Sequence, residues 1–98
     1  MYKVLIVEDD EVISKKLESF LKSWNYDVCR VVDFYNVMDA FHSFNPDLVL
    51  MDITLPYLNG YLWTEKIREE SKVPIIFISS ATDNMSIVMA ISKGADDF

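Results

Sequence analysis

The residues with the clearest chemical potential are carboxylates that directly follow short apolar segments. Glu8 and Asp9 follow Val4–Val7 inside a run of four consecutive acids, and Asp52 follows Leu48–Met51. Carboxylates that share one crevice raise each other's pKa or recruit a cation. Oxygen ligands with some retained water are the preference of Mg²⁺, and a carboxylate beside that ion can attack phosphorus as a nucleophile. The pattern therefore suggests a site for Mg²⁺ and a phosphoryl group.

Hydroxyl groups follow another apolar segment of the same kind. Ile75–Ile78 is followed by Ser79 and Ser80. Ser80 is positioned to bind a phosphoryl oxygen, with help from the backbone N–H of Ala81. A simple loop or a hydroxyl-capped turn explains the two serines equally well.

Helix capping is the simpler role for some of the acids. Asp9 or Asp10 is suited to cap a helix that follows, and Asp52 is suited to cap a turn. Capping does not explain why two separate apolar segments both end in acids, so both interpretations stay open.

The elements that must position these residues alternate between two sequence periodicities. Short apolar runs rich in Val and Ile are typical of strands buried on both faces, and they lie at Val4–Val7, Val28–Val32, Leu48–Met51 and Ile75–Ile78. Apolar residues at helical spacing lie between and after these runs and predict four helices. The first is marked by Ile13, Leu17, Phe20, Leu21 and Trp24, and the second by Val37, Ala40, Phe41 and Phe44, with Asn36 as its N-cap. The third is marked by Leu62, Trp63 and Ile67 after Gly60, and the fourth by Ile87, Val88 and Ile91. The predicted order is four β-α units, which implies a right-handed, doubly wound parallel sheet with helices on both faces.

Composition narrows the functional classes. Ninety-eight residues with a 51% hydrophobic fraction support one small domain, and a net charge of −7 argues against direct nucleic-acid binding. The single cysteine, Cys29, allows no internal disulfide, so a reducing cytoplasmic setting is expected. No apolar run approaches the ~20 residues that span a bilayer, and the N-terminus lacks the features of a signal peptide.

Four segments together resemble the receiver domain of two-component response regulators, along the whole chain. They are Lys3–Glu11 (an opening strand with an acid pair), Asp47–Pro56 with Gly60 eight residues after Asp52 (the phosphoacceptor strand and loop), Val73–Ala81 (the switch strand) and Gly94–Phe98 (the start of the last strand). The resemblance implies a flavodoxin-like, CheY-like α/β fold with strand order 2-1-3-4-(5).

Carried over residue by residue, the resemblance implies a phosphoacceptor and a metal site. Asp52 would accept the phosphoryl group from a histidine kinase. Glu8 and Asp9 would hold Mg²⁺ together with Asp52 and the backbone carbonyl of Thr54.

The resemblance also implies roles for residues around that centre. Ser80 and the backbone N–H of Ala81 would contact the phosphate, Phe98 would take the place of the switch aromatic, and Pro56 and Gly60 would shape the active-site loop.

The end of the chain resembles the OmpR/PhoB class, in which a DNA-binding output domain follows the receiver. The family's phosphate-contacting lysine would lie three residues beyond Phe98, so residues 1–98 are expected to be a receiver that lacks most of its fifth strand and its fifth helix. Weak phosphorylation and self-association are expected for that reason. The stretch from Ser79 to Met85 also resembles regulators paired with transporter-linked sensors of antimicrobial peptides.

Two other functions remain open at this point. One is an aspartate-nucleophile phosphohydrolase of the haloacid dehalogenase type, although that chemistry needs a second Asp where this chain has Thr54. The other is a non-phosphorylated interaction module on the same fold. On the favoured interpretation the chain is not an enzyme beyond its own phosphorylation and dephosphorylation.

Overall fold

The computed structural model describes residues 1–78 and contains seven elements in the order βαβαβαβ. Their bounds are β1 Lys3–Val7, α1 Glu11–Ser23, β2 Asp27–Arg30, α2 Val37–Phe44, β3 Leu48–Met51, α3 Gly60–Arg68 and β4 Ile75–Phe77. The predicted fourth helix lies outside the described residues.

All strand pairs of the four-stranded sheet are parallel, in the order β2-β1-β3-β4. The predicted strand order is thereby confirmed over these strands. Val4–Val7 of β1 are buried because β1 lies between β2 and β3 and has helices over both faces. This burial on both sides is the reason why the strand is continuously apolar rather than alternating.

The second strand is shorter than its apolar run suggested. The run predicted a strand as far as Val32, but β2 ends at Arg30. The backbone N–H of Val31 still donates to the carbonyl of Ile6 at 2.9 Å, whereas Val32 is 80% exposed. The chain leaves the sheet there to enter the β2–α2 loop, so Val32 has no layer to pack against.

The larger hydrophobic core lies on the sheet face that α2 and α3 cover. Phe41 of α2 with Trp63 and Ile67 of α3 pack there against strand residues such as Leu5 and Phe77. Each of these residues has at most 7% of its surface exposed. This face fixes β1 and β3 side by side, and the acids follow those two strands.

The opposite face, under α1, is smaller and corrects part of the predicted stripe. Its buried residues are Val4, Ile6 and Val28, and Leu17 and Leu21 of α1 pack on them. The other members of the stripe are exposed, namely Ile13, Phe20 and Trp24. Among the residues of the stripe, Leu17 and Leu21 pack on this cluster, so the contact face of the helix is narrower than its apolar stripe over the described part of the chain.

Candidate functional site

Strand pairing brings the three predicted acids to one edge of the sheet. Parallel strands end at the same edge, and the backbone N–H of Asp52 donates to the carbonyl of Val7 at 2.9 Å, which extends the β1–β3 ladder by one residue. Each of Glu8, Asp9 and Asp52 then offers a carboxylate oxygen that lies within 4.8 Å of the others. Neighbouring strand ends thus produce an acidic cluster from residues more than forty positions apart.

The run of four acids divides into different structural roles. Glu8 is buried with 6% exposure, while Asp9 is exposed. Asp10 caps α1, because its Oδ1 accepts hydrogen bonds from the backbone N–H groups of Val12 at 3.0 Å and Ile13 at 3.2 Å. Asp10 therefore has the capping role that was predicted for Asp9 or Asp10. Glu8 and Asp9, which precede it, belong to the acidic cluster.

Burial of the acids perturbs their protonation. The pKa of Glu8 is raised to about 7, chiefly by burial and also by the neighbouring Asp52 and Asp9, against a backbone hydrogen bond from Asp10 that lowers it. Burial also raises the pKa of Asp52, opposed by hydrogen bonds from Glu8 and from the backbone at Ile53 and Thr54. The cluster therefore carries more negative charge than its surroundings stabilise, and either a proton or a cation relieves the excess.

The loop after Asp52 requires a glycine at its far end. The backbone N–H of Gly60 donates to the carbonyl of Ile53 at 2.8 Å. A Cβ at position 60 would lie 2.1 Å from the backbone carbonyl oxygen of Asp52 and 3.0 Å from Cγ of Met51. Asn59 caps α3 directly before it, since its side chain accepts from the N–H of Leu62 at 3.0 Å. Gly60 is therefore needed for close approach of two backbone segments.

The acids open into a cleft of about 480 Å³. It is lined by Glu8, Asp9, Asp10, Ile13, Asp52, Thr54 and Ile78. The three carboxylates of the cluster are ligands that suit a hard divalent cation. Two of them, Glu8 and Asp52, also have raised pKa values. At an Mg–O distance of about 2.1 Å, two ligand oxygens lie at most about 4.2 Å apart, so the cluster fits Mg²⁺ after a small closure or through a bridging water.

The other predicted site residues divide between described and undescribed parts of the chain. Thr54 is exposed at the cleft, and Pro56 is half-buried in the loop that ends at Gly60. Ser80, Ala81 and Phe98 lie outside the described residues.

Sequence reasoning missed two contributors near this edge. Ile13 lines the cleft although it was assigned to the buried stripe of α1. Tyr57 has a left-handed backbone with φ of 70° and stacks on Tyr35, with ring centroids 3.5 Å apart. Hydrophobic periodicity does not separate an apolar residue that lines a cleft from one that packs on the sheet, and it gives no signal for a ring contact between two loops.

The remaining reactive side chains stay apart from the acidic cluster. His42 is exposed on α2 and pairs with Glu70, and Cys29 is a half-buried thiol whose pKa burial raises. Over residues 1–78, no helix combines the length and apolarity needed to cross a membrane.

Comparison with known proteins gives consistent matches over the whole chain. The family described as "Response regulator receiver domain" matches residues 4–98. The response regulator protein GraR of Staphylococcus aureus is 44% identical over 96 residues, which is 98% of this chain and 43% of that protein. The chain thus spans less than half the length of the curated relatives it matches.

Solved structures agree with that match. The N-terminal domain of the nisin resistance regulator NsrR, a lantibiotic response regulator, is 48% identical with a TM-score of 0.90, over 100% of this chain and 83% of that one. The BeF3-activated receiver domain of Klebsiella pneumoniae RstA is 27% identical with a TM-score of 0.93, over 97% of this chain and 81% of that one.

Proposed function

The chain belongs to the response regulator receiver family, and from that premise we propose that Asp52 accepts a phosphoryl group from a histidine kinase with the help of Mg²⁺. One observation carries the proposal: Asp52 directly follows β3 and has a carboxylate oxygen within 4.8 Å of carboxylate oxygens of Glu8 and Asp9. A single surface acid would have neither the metal-binding partners nor the fixed position that phosphoryl transfer needs.

The proposed work of each residue follows from its surroundings. Asp52 is the nucleophile, and its backbone hydrogen bonds at Ile53 and Thr54 orient the carboxylate toward the cleft. Glu8 and Asp9, with the carbonyl of Thr54, hold the metal. A bound Mg²⁺ supplies positive charge that keeps the carboxylates ionised and offsets the charge of the phosphoryl oxygens.

The raised pKa values fit this division of labour. A carboxyl group attacks phosphorus only when it is ionised, and burial disfavours ionisation of Asp52. A cation bound by Glu8 and Asp9 would lower the pKa of Asp52 and so favour its ionised form. Phosphorylation of Asp52 is therefore expected to depend on the divalent cation over the pH range in which Glu8, with a pKa of about 7, is partly protonated.

The finer roles from the sequence enter the proposal unchanged. Ser80 and the backbone N–H of Ala81 contact the phosphoryl group, and Phe98 takes the switch position. The phosphate-contacting lysine that the family resemblance implies, three positions after Phe98, belongs to the proposal for a longer form of the protein. Catalysis is limited to the domain's own phosphorylation and dephosphorylation.

The proposed setting is a cytoplasmic two-component pathway. A DNA-binding output domain after the receiver would read the phosphorylation state, which agrees with the greater length of the relatives. The likeness to a lantibiotic response regulator supports a signal from antimicrobial peptides. Self-association stays a prediction, and light scattering of the chain at high concentration tests it.

Mass spectrometry after incubation with acetyl phosphate and Mg²⁺ tests the phosphoacceptor. We expect one added phosphoryl group on the full-length protein, lost in Asp52→Asn and lost on chelation of the metal. Asp47→Asn is the matched control, because Asp47 is an exposed acid at the opposite end of β3. Equal labelling of the wild type and Asp52→Asn would refute the assignment.

A form of the protein extended to include the family's lysine should be labelled more strongly than residues 1–98, because the lysine would add a cationic contact to the phosphoryl group. Equal labelling of the two proteins would refute the role given to the lysine. Steady release of phosphate from a generic phosphate ester would instead favour the phosphohydrolase.

A further inference from the structure

The loop that follows the phosphoacceptor position is held firmly at its base. Its ends are joined by the hydrogen bond from Gly60 N–H to the carbonyl of Ile53 at 2.8 Å. Leu55 and Leu58 are half-buried and pack on the larger core. These contacts fix the base and the inner side of the loop, on the face that α2 and α3 cover.

The tip of the loop has a different kind of support. Tyr57 is 63% exposed and has a φ of 70°, a left-handed conformation that a residue with a bulky side chain rarely adopts. Such a conformation persists only when surrounding contacts hold it. The ring of Tyr35 stacks on that of Tyr57, with centroids 3.5 Å apart and planes at 18°.

Tyr35 itself is presented by a well-fixed loop. The backbone N–H of Tyr35 donates to Oδ1 of Asp33 at 3.1 Å, and the side-chain amide of Asn36 donates to Oδ2 of the same residue at 3.0 Å. The helix that begins at Val37 follows at once, and Val37 is fully buried. The β2–α2 loop is therefore a rigid support from which one ring reaches the neighbouring loop.

We propose that Tyr35 is a positioning residue for the metal site, acting through its stack on Tyr57. The stack holds the tip of the Ile53–Gly60 loop in the strained conformation that keeps Thr54 at the cleft. This inference rests on the proposed function, because Thr54 matters here as the residue whose carbonyl completes the Mg²⁺ ligands. The stack joins the loops that follow β2 and β3, and these two strands flank β1 in the sheet.

A hydrogen bond between the two phenol groups accompanies the stack and raises the pKa of Tyr35. The proposal assigns the positioning to the ring contact, which is kept when one hydroxyl is removed. Tyr35→Phe should therefore behave like the wild type, and Tyr35→Ala and Tyr35→Leu should not.

Isothermal titration calorimetry with Mg²⁺ alone tests the inference on the full-length protein. We expect Tyr35→Ala and Tyr35→Leu to weaken Mg²⁺ binding by about fivefold, which lies within the range that an aromatic pair contributes to an equilibrium constant. Tyr35→Phe should stay within about twofold of the wild type. The control is Tyr26→Ala, which removes an exposed ring that contacts Tyr2 at the other end of the sheet, with centroids 6.0 Å apart.

A second comparison separates positioning from general stability. Tyr57→Gly removes the ring and also removes the strain of the left-handed backbone. Tyr35→Ala should then cause no further loss of Mg²⁺ affinity in that background. Denaturant unfolding of each variant checks that the change in Mg²⁺ affinity is not a change in folded fraction.

The outcomes distinguish this inference from the function on which it rests. If the wild type binds no Mg²⁺, the proposed function fails and the inference fails with it. If the wild type binds Mg²⁺ and Tyr35→Ala binds equally well, the function stands and the inference is overturned. A Tyr35→Ala effect of equal size in the wild-type and Tyr57→Gly backgrounds would also overturn it.

Discussion

The two edges of the sheet are built from the same strands, yet their polar groups are arranged in opposite ways. At the amino edge, the backbone N–H of Lys3 donates to Oδ2 of Asp47 at 2.8 Å, and its ammonium group donates to the carbonyl of Phe44 at 3.3 Å. At the carboxyl edge, Glu8 and Asp52 share a crevice, and burial raises the pKa of both carboxyl groups. At the amino edge, a carboxylate and an ammonium group are each paired with a backbone group, whereas carboxylates face one another at the carboxyl edge.

The polar groups of the amino edge contribute to the stability of the domain, and those of the carboxyl edge form its candidate binding site. Groups at the amino edge are satisfied by each other and need no ligand. Groups at the carboxyl edge are unsatisfied until a proton or a cation arrives, which is the arrangement that a binding site requires. The following predictions use substitutions at the two edges, in order of decreasing effect on the free energy of unfolding.

The largest effect is expected from Gly60→Ala at the carboxyl edge. The new Cβ would lie 2.1 Å from the backbone oxygen of Asp52, so strand or helix must shift. We expect a loss of about 3 kcal/mol in the free energy of unfolding, at the upper end of the usual cost of overpacking. Urea denaturation measures it. Alanine normally stabilises a helix relative to glycine, so any gain in stability would contradict the close approach.

A smaller effect of opposite sign is expected from removing a buried acid. The pKa of Glu8 is raised from 4.5 to about 7 in the folded protein, so folding is favoured by this group below about pH 4.5 and that stability is lost as the pH rises through about 7. Glu8→Gln should then stabilise the metal-free protein by on the order of 1–2 kcal/mol at about pH 8 and have little effect near pH 4.

Unfolding curves in a chelator at several pH values measure this dependence. Mg²⁺ should remove the advantage of Glu8→Gln, because the ion stabilises the ionised carboxylate that the variant lacks. A wild-type stability that rises between about pH 5 and about pH 8 without metal would contradict the assigned direction.

The helix cap provides a test within the acidic run itself. Asp10→Ala removes the acceptor for the N–H groups of Val12 and Ile13 and should cost about 1 kcal/mol of stability. Mg²⁺ affinity measured by calorimetry should change far less than in Asp9→Ala, since Asp10 serves the helix. Restoration of stability by Asp10→Asn would support the capping role, and a Mg²⁺ affinity lowered as much as in Asp9→Ala would contradict the division of roles.

The smallest effect is expected at the amino edge. Asp47→Ala removes an exposed hydrogen bond to the N–H of Lys3 and should destabilise the protein by about 0.5–1 kcal/mol. Loss of this acid destabilises the fold while loss of Glu8 stabilises it, so the pair of variants measures the contrast between the edges directly. A gain in stability on replacing Asp47 would remove that contrast.

Much of the fold was predictable because burial on both faces leaves a strong pattern. Leu48–Met51 was predicted as a strand with the bounds that the structure shows, and the β-α alternation required a parallel sheet. Acids that follow neighbouring parallel strands meet at one edge, and the resemblance to receiver domains implied that β1 and β3 are neighbours, so the proximity of Asp52 to Glu8 followed once that strand order was adopted. The identity of the capping residue, Asp10, depended on backbone geometry at the start of α1.

Features that depend on contact area or on loop meetings were not predictable in this way. Periodicity placed Phe20 and Trp24 on the packed stripe of α1, but they are 62% and 65% exposed. Apolar spacing indicates which residues share a face, and it does not indicate how wide a contact the sheet offers. The stack of Tyr35 on Tyr57 joins two loops, and loop conformation has no period to detect.

The close approach of Gly60 to Asp52 also fixes the number of residues in the intervening loop. Its two ends are joined by a backbone hydrogen bond and by a contact that leaves no room for a side chain. Side chains between positions 53 and 60 can therefore vary in identity more readily than the segment can vary in length. A single inserted or deleted residue would shift either the carboxylate that follows β3 or the first turn of α3. Insertions and deletions should therefore be tolerated less readily between positions 53 and 60 than in other loops of the chain.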